Sequence, residues 1–161
     1  MLYEKFGEFD SADQINELAQ NLLKEGDKES IYALAKENGI PKDYADMMVD
    51  GFFPMLCDAT MAATGKIDVE AAELKPKDIM ADWVDYIKAV CMEDGKVAEN
   101  VRKKGKSLKG CIASLLKWAF SHQQTIDKEI VKAAGVKAGK VTLGMPGQAE
   151  ARKLIKAYYG G

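Results

Sequence analysis

The sequence predicts an all-α protein, a compact bundle of several helices with helix-turn-helix-like corners. Three observations lead there. Apolar residues recur at helical spacing along most of the 161 residues, turn residues fall between those stretches, and only four prolines interrupt a chain rich in helix formers. A chain of this length, 47% hydrophobic, can bury a core of its own. It has no low-complexity segment and no Ser/Pro-rich linker, so a single domain over 1–161 is expected.

FDSADQINELAQNLLKEGD opens with Ser11 as N-cap and Gln14 three residues on, a capping box. Ile15, Leu18, Leu22 and Leu23 form its apolar stripe, and Gly26 ends it. A second helix through KESIYALAKEN stops at Gly39. Pro41 suits the first turn of a third, PKDYADMMVD, closed by Gly51. FFPMLCDATMAATG reads as helical after Pro54, followed by a short turn at VEAAEL. KDIMADWVDYIKAVCMED is the clearest long helix, with Ile79, Trp83, Ile87 and Val90 facing inward. VAENVRKKG follows. Ser107 then caps SLKGCIASLLKWAFSHQ, with Leu108, Ile112, Leu115 and Ala119 inward. Thr125 is expected to cap IDKEIVKAAG. The stretch 140–143 is the one candidate for a minor strand or turn. QAEARKLIKAYY closes the chain, with Leu154, Ile155 and Tyr158 opposite Arg152, Lys153 and Lys156.

The net charge of −2 hides an asymmetry. Residues 1–95 hold 21 acids and 9 bases, a net of −12; residues 96–161 hold 4 acids and 14 bases, a net of +10. Such a split fits a polyanionic or strongly charged partner, and equally fits two halves that pack together and partly cancel. No apolar run approaches the roughly 20 residues of a membrane span, so no membrane partner is expected. The start MLYEKFGEFD lacks the basic and apolar regions of a secretory signal. Cys57, Cys91 and Cys111 are odd in number and far apart, with neither metal spacing nor a disulfide framework. A reduced, cytoplasmic setting is expected.

Catalytic chemistry finds little footing. The one histidine, His122, has no Cys or His neighbour in sequence and reads as structural or solvated. Neither Gly-x-Ser-x-Gly nor His-Glu-x-x-His occurs. No catalytic residues, no metal and no cofactor are expected, and the chain reads as a binding protein. Asp78, Asp82 and Asp85 form an acidic stripe on the long helix. One helix rarely completes a metal site, so a solvated face is favoured and a protein-binding face comes second. GKVTLGMPG lacks the Gly-Lys-Ser/Thr of a phosphate loop, because Met145 and Pro146 follow Gly144. Its glycines suit a tight turn into the last helix.

The basic stretch VRKKGKSLKG is more telling. Arg102, Lys103 and Lys104 suit the last turn of a helix, and Gly105 its stop. Lys106 does not suit its place, because it directly precedes the N-cap Ser107. An anion at that N-terminus would use the free N–H groups together with Lys106 and Lys109. IVKAAGVKAGKVTLG has a helix-turn-helix spacing around Gly135, with Val136 and Val141 for packing. Lys137, Lys140 and Thr142 would lie on or near its second helix, although Gly139, Gly144 and Pro146 suit a recognition helix poorly. LAKENGIPKDYADMM has Ala35, Gly39 and Ile40 in the same register. Its second helix carries Asp43, Asp46 and Asp50, which repel phosphate, so this corner reads as structural or protein-facing.

The order LAKENGIPKDYADMMVDG, DWVDYIKAVCMED, VRKKGKSLKGCIASLLKWAF, IDKEIVKAAGVKAGKVTLGMPG and KLIKAYYGG resembles proteins of Firmicutes phages and conjugative elements. In particular it resembles the anti-CRISPR proteins that inhibit type II RNA-guided nucleases. KSLKGC with a closing Tyr-Tyr is similar to the wider PcfK-like group. The resemblance runs from about Leu34 to Tyr159. It implies a non-enzymatic inhibitor whose partner is a Cas9-type nuclease or its guide-RNA complex, with DNA as a further partner. The other reading is a helix-turn-helix-like DNA-binding regulator or accessory protein of a mobile element.

Overall fold

A computed structural model describes residues 1–160. Among them are nine helices and one two-stranded sheet. In chain order these are α1 (Ala12–Glu25), α2 (Lys28–Glu37), α3 (Lys42–Val49), α4 (Ala59–Leu74), α5 (Ile79–Glu93), α6 (Gly95–Val101), α7 (Leu108–Ser121), β1 (Gln124–Thr125), α8 (Lys128–Ala133), β2 (Thr142–Leu143) and α9 (Gln148–Tyr159). The expected all-α class holds, and the small strand falls within 140–143.

Local chemistry sets the helix ends. Ser11 accepts from the Gln14 N–H, and the Gln14 side chain accepts in turn from the Asp10 N–H. Gly26 closes α1 at φ 75°, a conformation that costs glycine little. Asp58, Asp94, Ser107 and Asp127 cap α4, α6, α7 and α8 through their side chains. Asp127 therefore takes the role expected of Thr125, which lies in β1 opposite Thr142.

The buried side chains form two cores. One gathers Ile15, Ala19, Ile31, Leu34, Met48 and Leu56 from α1–α3 and the loop after them. The other gathers Trp83, Ile87, Leu108, Leu115, Ile155 and Tyr159 from α5, α7 and α9. Helix α4 is a wall shared by both, since Ala62 serves the first core and its neighbour Ala63 the second. This explains why its extent is hidden in the sequence. A helix buried on two sides shows no single apolar stripe. The chain is irregular from Pro54 to Asp58 and then helical straight through VEAAEL, contrary to expectation. Asn16 causes the first departure: its side-chain oxygen accepts from the Leu56 and Cys57 N–H groups, and its amide donates to Cys57 O.

Gly65, in mid-helix, meets Gly39 at the α2–α3 corner. A Cβ on Gly65 would lie 2.3 Å from Asn38 O, and one on Gly39 2.3 Å from Gly65 O. This corner is the helix-turn-helix-like turn read from LAKENGIPKDYADMM, with Gly39 at φ 67°. The corner read from IVKAAGVKAGKVTLG does not form. After Gly135 no second helix begins; the chain reaches β2, which pairs antiparallel with β1. The glycines that make this stretch a poor helix leave it free for strand pairing.

Candidate nucleic-acid and protein interfaces

Arg102 is not a phosphate contact in this structure. It is 1% exposed and spans the seam between the cores. Its guanidinium donates to Ala62 O at 2.7 Å, Asn38 Oδ1 at 3.0 Å and Asn38 O at 3.3 Å. The fork of donors satisfies carbonyls at the corner where α2 ends and α4 passes. Burial pushes its pKa down, and nearby Tyr3 and Cys57 oppose that shift. Lys66 lies beside it, fully buried, donating to Glu8 at 2.5 Å and to Lys106 O at 2.9 Å, with Glu70 at 3.7 Å. Burial raises the Glu70 pKa, against the opposing pull of the Leu108 N–H and Lys66.

The anion expected at the N-terminus of α7 is supplied by the protein itself. Glu70 accepts from the Leu108 N–H at 2.6 Å, Ser107 accepts from Gly110 N–H, and the Tyr158 hydroxyl accepts from Ser107 N–H. Lys106 is already engaged by α9. Its ammonium donates to Tyr158 O at 2.6 Å and lies 4.8 Å from the Tyr158 ring centre. Lys106 therefore anchors α9, and a second anion there would meet a carboxylate already in place.

The other basic residues remain exposed. Lys103, Lys104 and Lys109 lie around the corner before α7, and Lys117 continues along that helix. At the far end of α7, residues 124–143 leave the body as an excursion. It contributes nothing to either core; within it Ile126, Val131 and Val141 are half-buried and all else is exposed. Lys128, Lys132, Lys137 and Lys140 lie on it. Ile126, Val131, Val136 and Val141 line an open hollow of about 520 Å³ with Lys128, Lys132 and Lys140 among its walls. Thr142 is on a strand rather than a recognition helix, and its hydroxyl donates to Gln123 Oε1 at 3.0 Å. The Gln123 amide donates to Ala119 O, the same carbonyl that Gly144 approaches so closely that a Cβ would meet it at 2.2 Å. The excursion is thus pinned to the end of α7 at its base. Gly144 is needed for close approach as well as for the turn into α9.

The acidic candidates divide. Asp78, Asp82, Asp85, Asp43 and Asp50 are exposed. Asp46 is tied down: Lys42 and Tyr32 donate to it at 2.7 Å, and those hydrogen bonds hold its carboxyl below the usual range. Part of the charge split cancels internally. Arg152 pairs with Glu93, and Lys156 approaches Asp94 at 3.7 Å, where α9 lies along the end of α5. Among the described residues no group of three or more His, Cys, Asp or Glu is placed to hold a metal ion. His122 stacks on Trp118 with ring centres 4.1 Å apart. No helix among them is long and apolar enough to cross a membrane.

Sequence reasoning missed one surface. Phe52, Phe53 and Met55, in the loop before α4, are 78%, 53% and 44% exposed. From the sequence a helix is expected only after Pro54, and Phe52 and Phe53 have no assigned role. The signal was available: two aromatics between Gly51 and Pro54 suit a turn better than a buried stripe. Compared with protein-family models, with curated proteins and with solved structures, the chain matches none, so its surfaces carry the functional argument.

Proposed function

We propose that this chain is a non-enzymatic inhibitor of a type II RNA-guided DNA nuclease, binding the nuclease or its guide-RNA complex so that DNA is not recognised or not cut. The observation that carries the reading is the excursion at 124–143, which holds four lysines and adds nothing to either core. Folding alone accounts for little of it. Binding accounts for its lysines, its exposed Ile130 and Val136, and the pinning of its base by Gln123. Nucleases of this kind hold the guide–target heteroduplex in a positively charged channel and read it through its backbone. Lys128, Lys132, Lys137 and Lys140 meet phosphates of the guide or the target. The acidic surfaces of α3 and α5, with Asp43, Asp50, Asp78, Asp82 and Asp85, face the basic walls. The likeness of the sequence to anti-CRISPR proteins supports the same reading. A cleavage assay on linear duplex DNA tests it: near-equimolar protein suppresses cutting. Complete cleavage in the presence of a large excess would refute it for the nuclease used.

A second reading is an accessory DNA-binding protein of a mobile element. It is favoured by two lysine groups at opposite ends of α7, which at 14 residues is about 21 Å long. Lys103, Lys104 and Lys109 stand at one end, and the excursion at the other. A gel shift on duplex DNA with K103E/K104E/K109E decides it. No shift at low salt, or no loss on charge reversal, counts against it.

A further inference from the structure

The loop Gly51–Asp58 is tied down by hydrogen bonds along its backbone, yet it displays its largest side chains. Phe52 and Phe53 both donate their N–H groups to Met47 O, at 2.8 and 3.2 Å. Gln20 of α1 donates to Pro54 O at 3.2 Å. The buried Asn16 takes the next turn through three backbone hydrogen bonds with Leu56 and Cys57. Asp58 caps α4. The loop is thus held through hydrogen bonds at Phe52, Phe53, Pro54, Leu56, Cys57 and Asp58, and none of that bonding depends on the two phenylalanine rings. Exposed aromatic groups on a fixed scaffold lose little freedom when a partner covers them, which is the character of an interface anchor.

The surroundings state what covers them. Met55 also lines an open groove of about 520 Å³ floored by Ala59, Ala62 and Ala98, with Asp10, Asp13, Asp58 and Glu99 around it. Asp50 directly precedes the aromatic loop. Of the described residues lining the groove, Lys103 is the one exposed cation; Arg102, at its base, has its donors turned to Asn38 and Ala62. Nucleic acid is repelled here. An arginine or lysine fits: its aliphatic stem lies on Met55 and the alanines, and its charge meets the carboxylates. An apolar neighbour of that cation then covers the two rings.

We infer that Phe52, Phe53 and Met55, with the adjoining acidic groove, form a docking face for a basic, apolar-bearing segment of a protein partner. This goes beyond the nuclease reading and stands whether or not the partner is that nuclease, so the experiment contains no nuclease. Fluorescein-labelled twelve-residue peptides alternating arginine with leucine, or glutamate with leucine, are titrated with the full chain and followed by anisotropy. A single-stranded oligonucleotide serves as a third probe. The arginine peptide binds and the glutamate peptide does not. F52S/F53S weakens binding roughly tenfold, as loss of an aromatic anchor does. D10N/D13N/E99Q weakens it and flattens its salt dependence, while K128E/K132E leaves it unchanged. The rings are exposed, so F52S/F53S should fold, and its melting curve verifies that. Equal binding of both peptides, no binding of the arginine peptide, or binding indifferent to F52S/F53S overturns the proposal. Loss of oligonucleotide binding in F52S/F53S equal to the loss of peptide binding overturns it as well, by making the face one for nucleic acid.

Discussion

Arg102 shows how a residue type can mislead when its neighbours in space are unknown. In VRKKGKSLKG it is one cation among five, and only the fold separates it from the rest. Position 102 follows Val101 at the end of α6, on the side that packs on α4, so its side chain enters the seam. Removing it leaves Asn38 and Ala62 with buried groups unsatisfied, each a cost of about 1–3 kcal/mol. Arg102→Ala should therefore lower unfolding stability by about 3 kcal/mol in a urea titration, while the exposed K103A shifts it by less than about 0.5 kcal/mol. Gly65→Ala belongs at the same scale. Its Cβ meets Asn38 backbone, which has no rotamer through which to yield, and a loss of about 2–3 kcal/mol is expected in the same measurement. Glu70 supplies a pH dependence. Its folded pKa lies above the 4.5 of the free side chain, so in that interval the folded state holds a proton that the unfolded chain has lost. Stability from this group thus falls as pH rises from 4.5 through the raised value and is level above it. Denaturant titrations of Glu70→Gln against the parent across that window should show the variant gaining relative stability as pH rises. A flat difference would remove Glu70 as the cause.

Among the elements, legibility followed exposure. Helices with one wet face, such as α1, α5, α7 and α9, were readable from apolar spacing, and Ser11 and Ser107 were readable as caps. The extent of helix α4 was not, because consecutive residues serve two cores. In the excursion the helix-turn-helix corner was misread because Gly135 and the lysines after it satisfy a motif whose second helix Gly139 and Gly144 disfavour. Its six-residue α8 has no buried residue, so it should exchange amide protons far faster than α5 or α7. Replacing Ile126–Val141 by Asn-Gly joins β1 to β2 through a two-residue turn. The prediction is that the body's melting temperature moves by no more than a few degrees while phosphate-dependent binding is lost. Cysteine labelling tests the packing of the elements that remain. Burial pushes Cys57, Cys91 and Cys111 up to about 12, so thiol reagents at neutral pH should label them only as fast as the protein opens.

For the whole molecule, the charge split was legible as arithmetic but not as a surface. The sequence left open whether the halves would attract each other or a partner: Arg152 and Lys156 meet the end of α5, and the lysines of 124–143 remain exposed. The lysines left exposed should govern binding to a polyanion. The slope of log affinity against log salt on duplex DNA should therefore shrink by about 0.9 for each phosphate contact removed. K128E/K132E should lower that slope, and K156E should change it little. A slope insensitive to the excursion would place the phosphate contacts elsewhere.

The shared wall has a mechanical consequence. Because Ala62 and Ala63 belong to opposite cores, neither cluster can turn against the other without shearing the helix they share. The aromatic loop at the near end of α4 and the Gln123 base of the lysine excursion beyond α7 are therefore the fixed roots of two jaws. A target able to span both jaws gains from simultaneous engagement, whereas a fragment reaching one of them is held only by that jaw's own affinity.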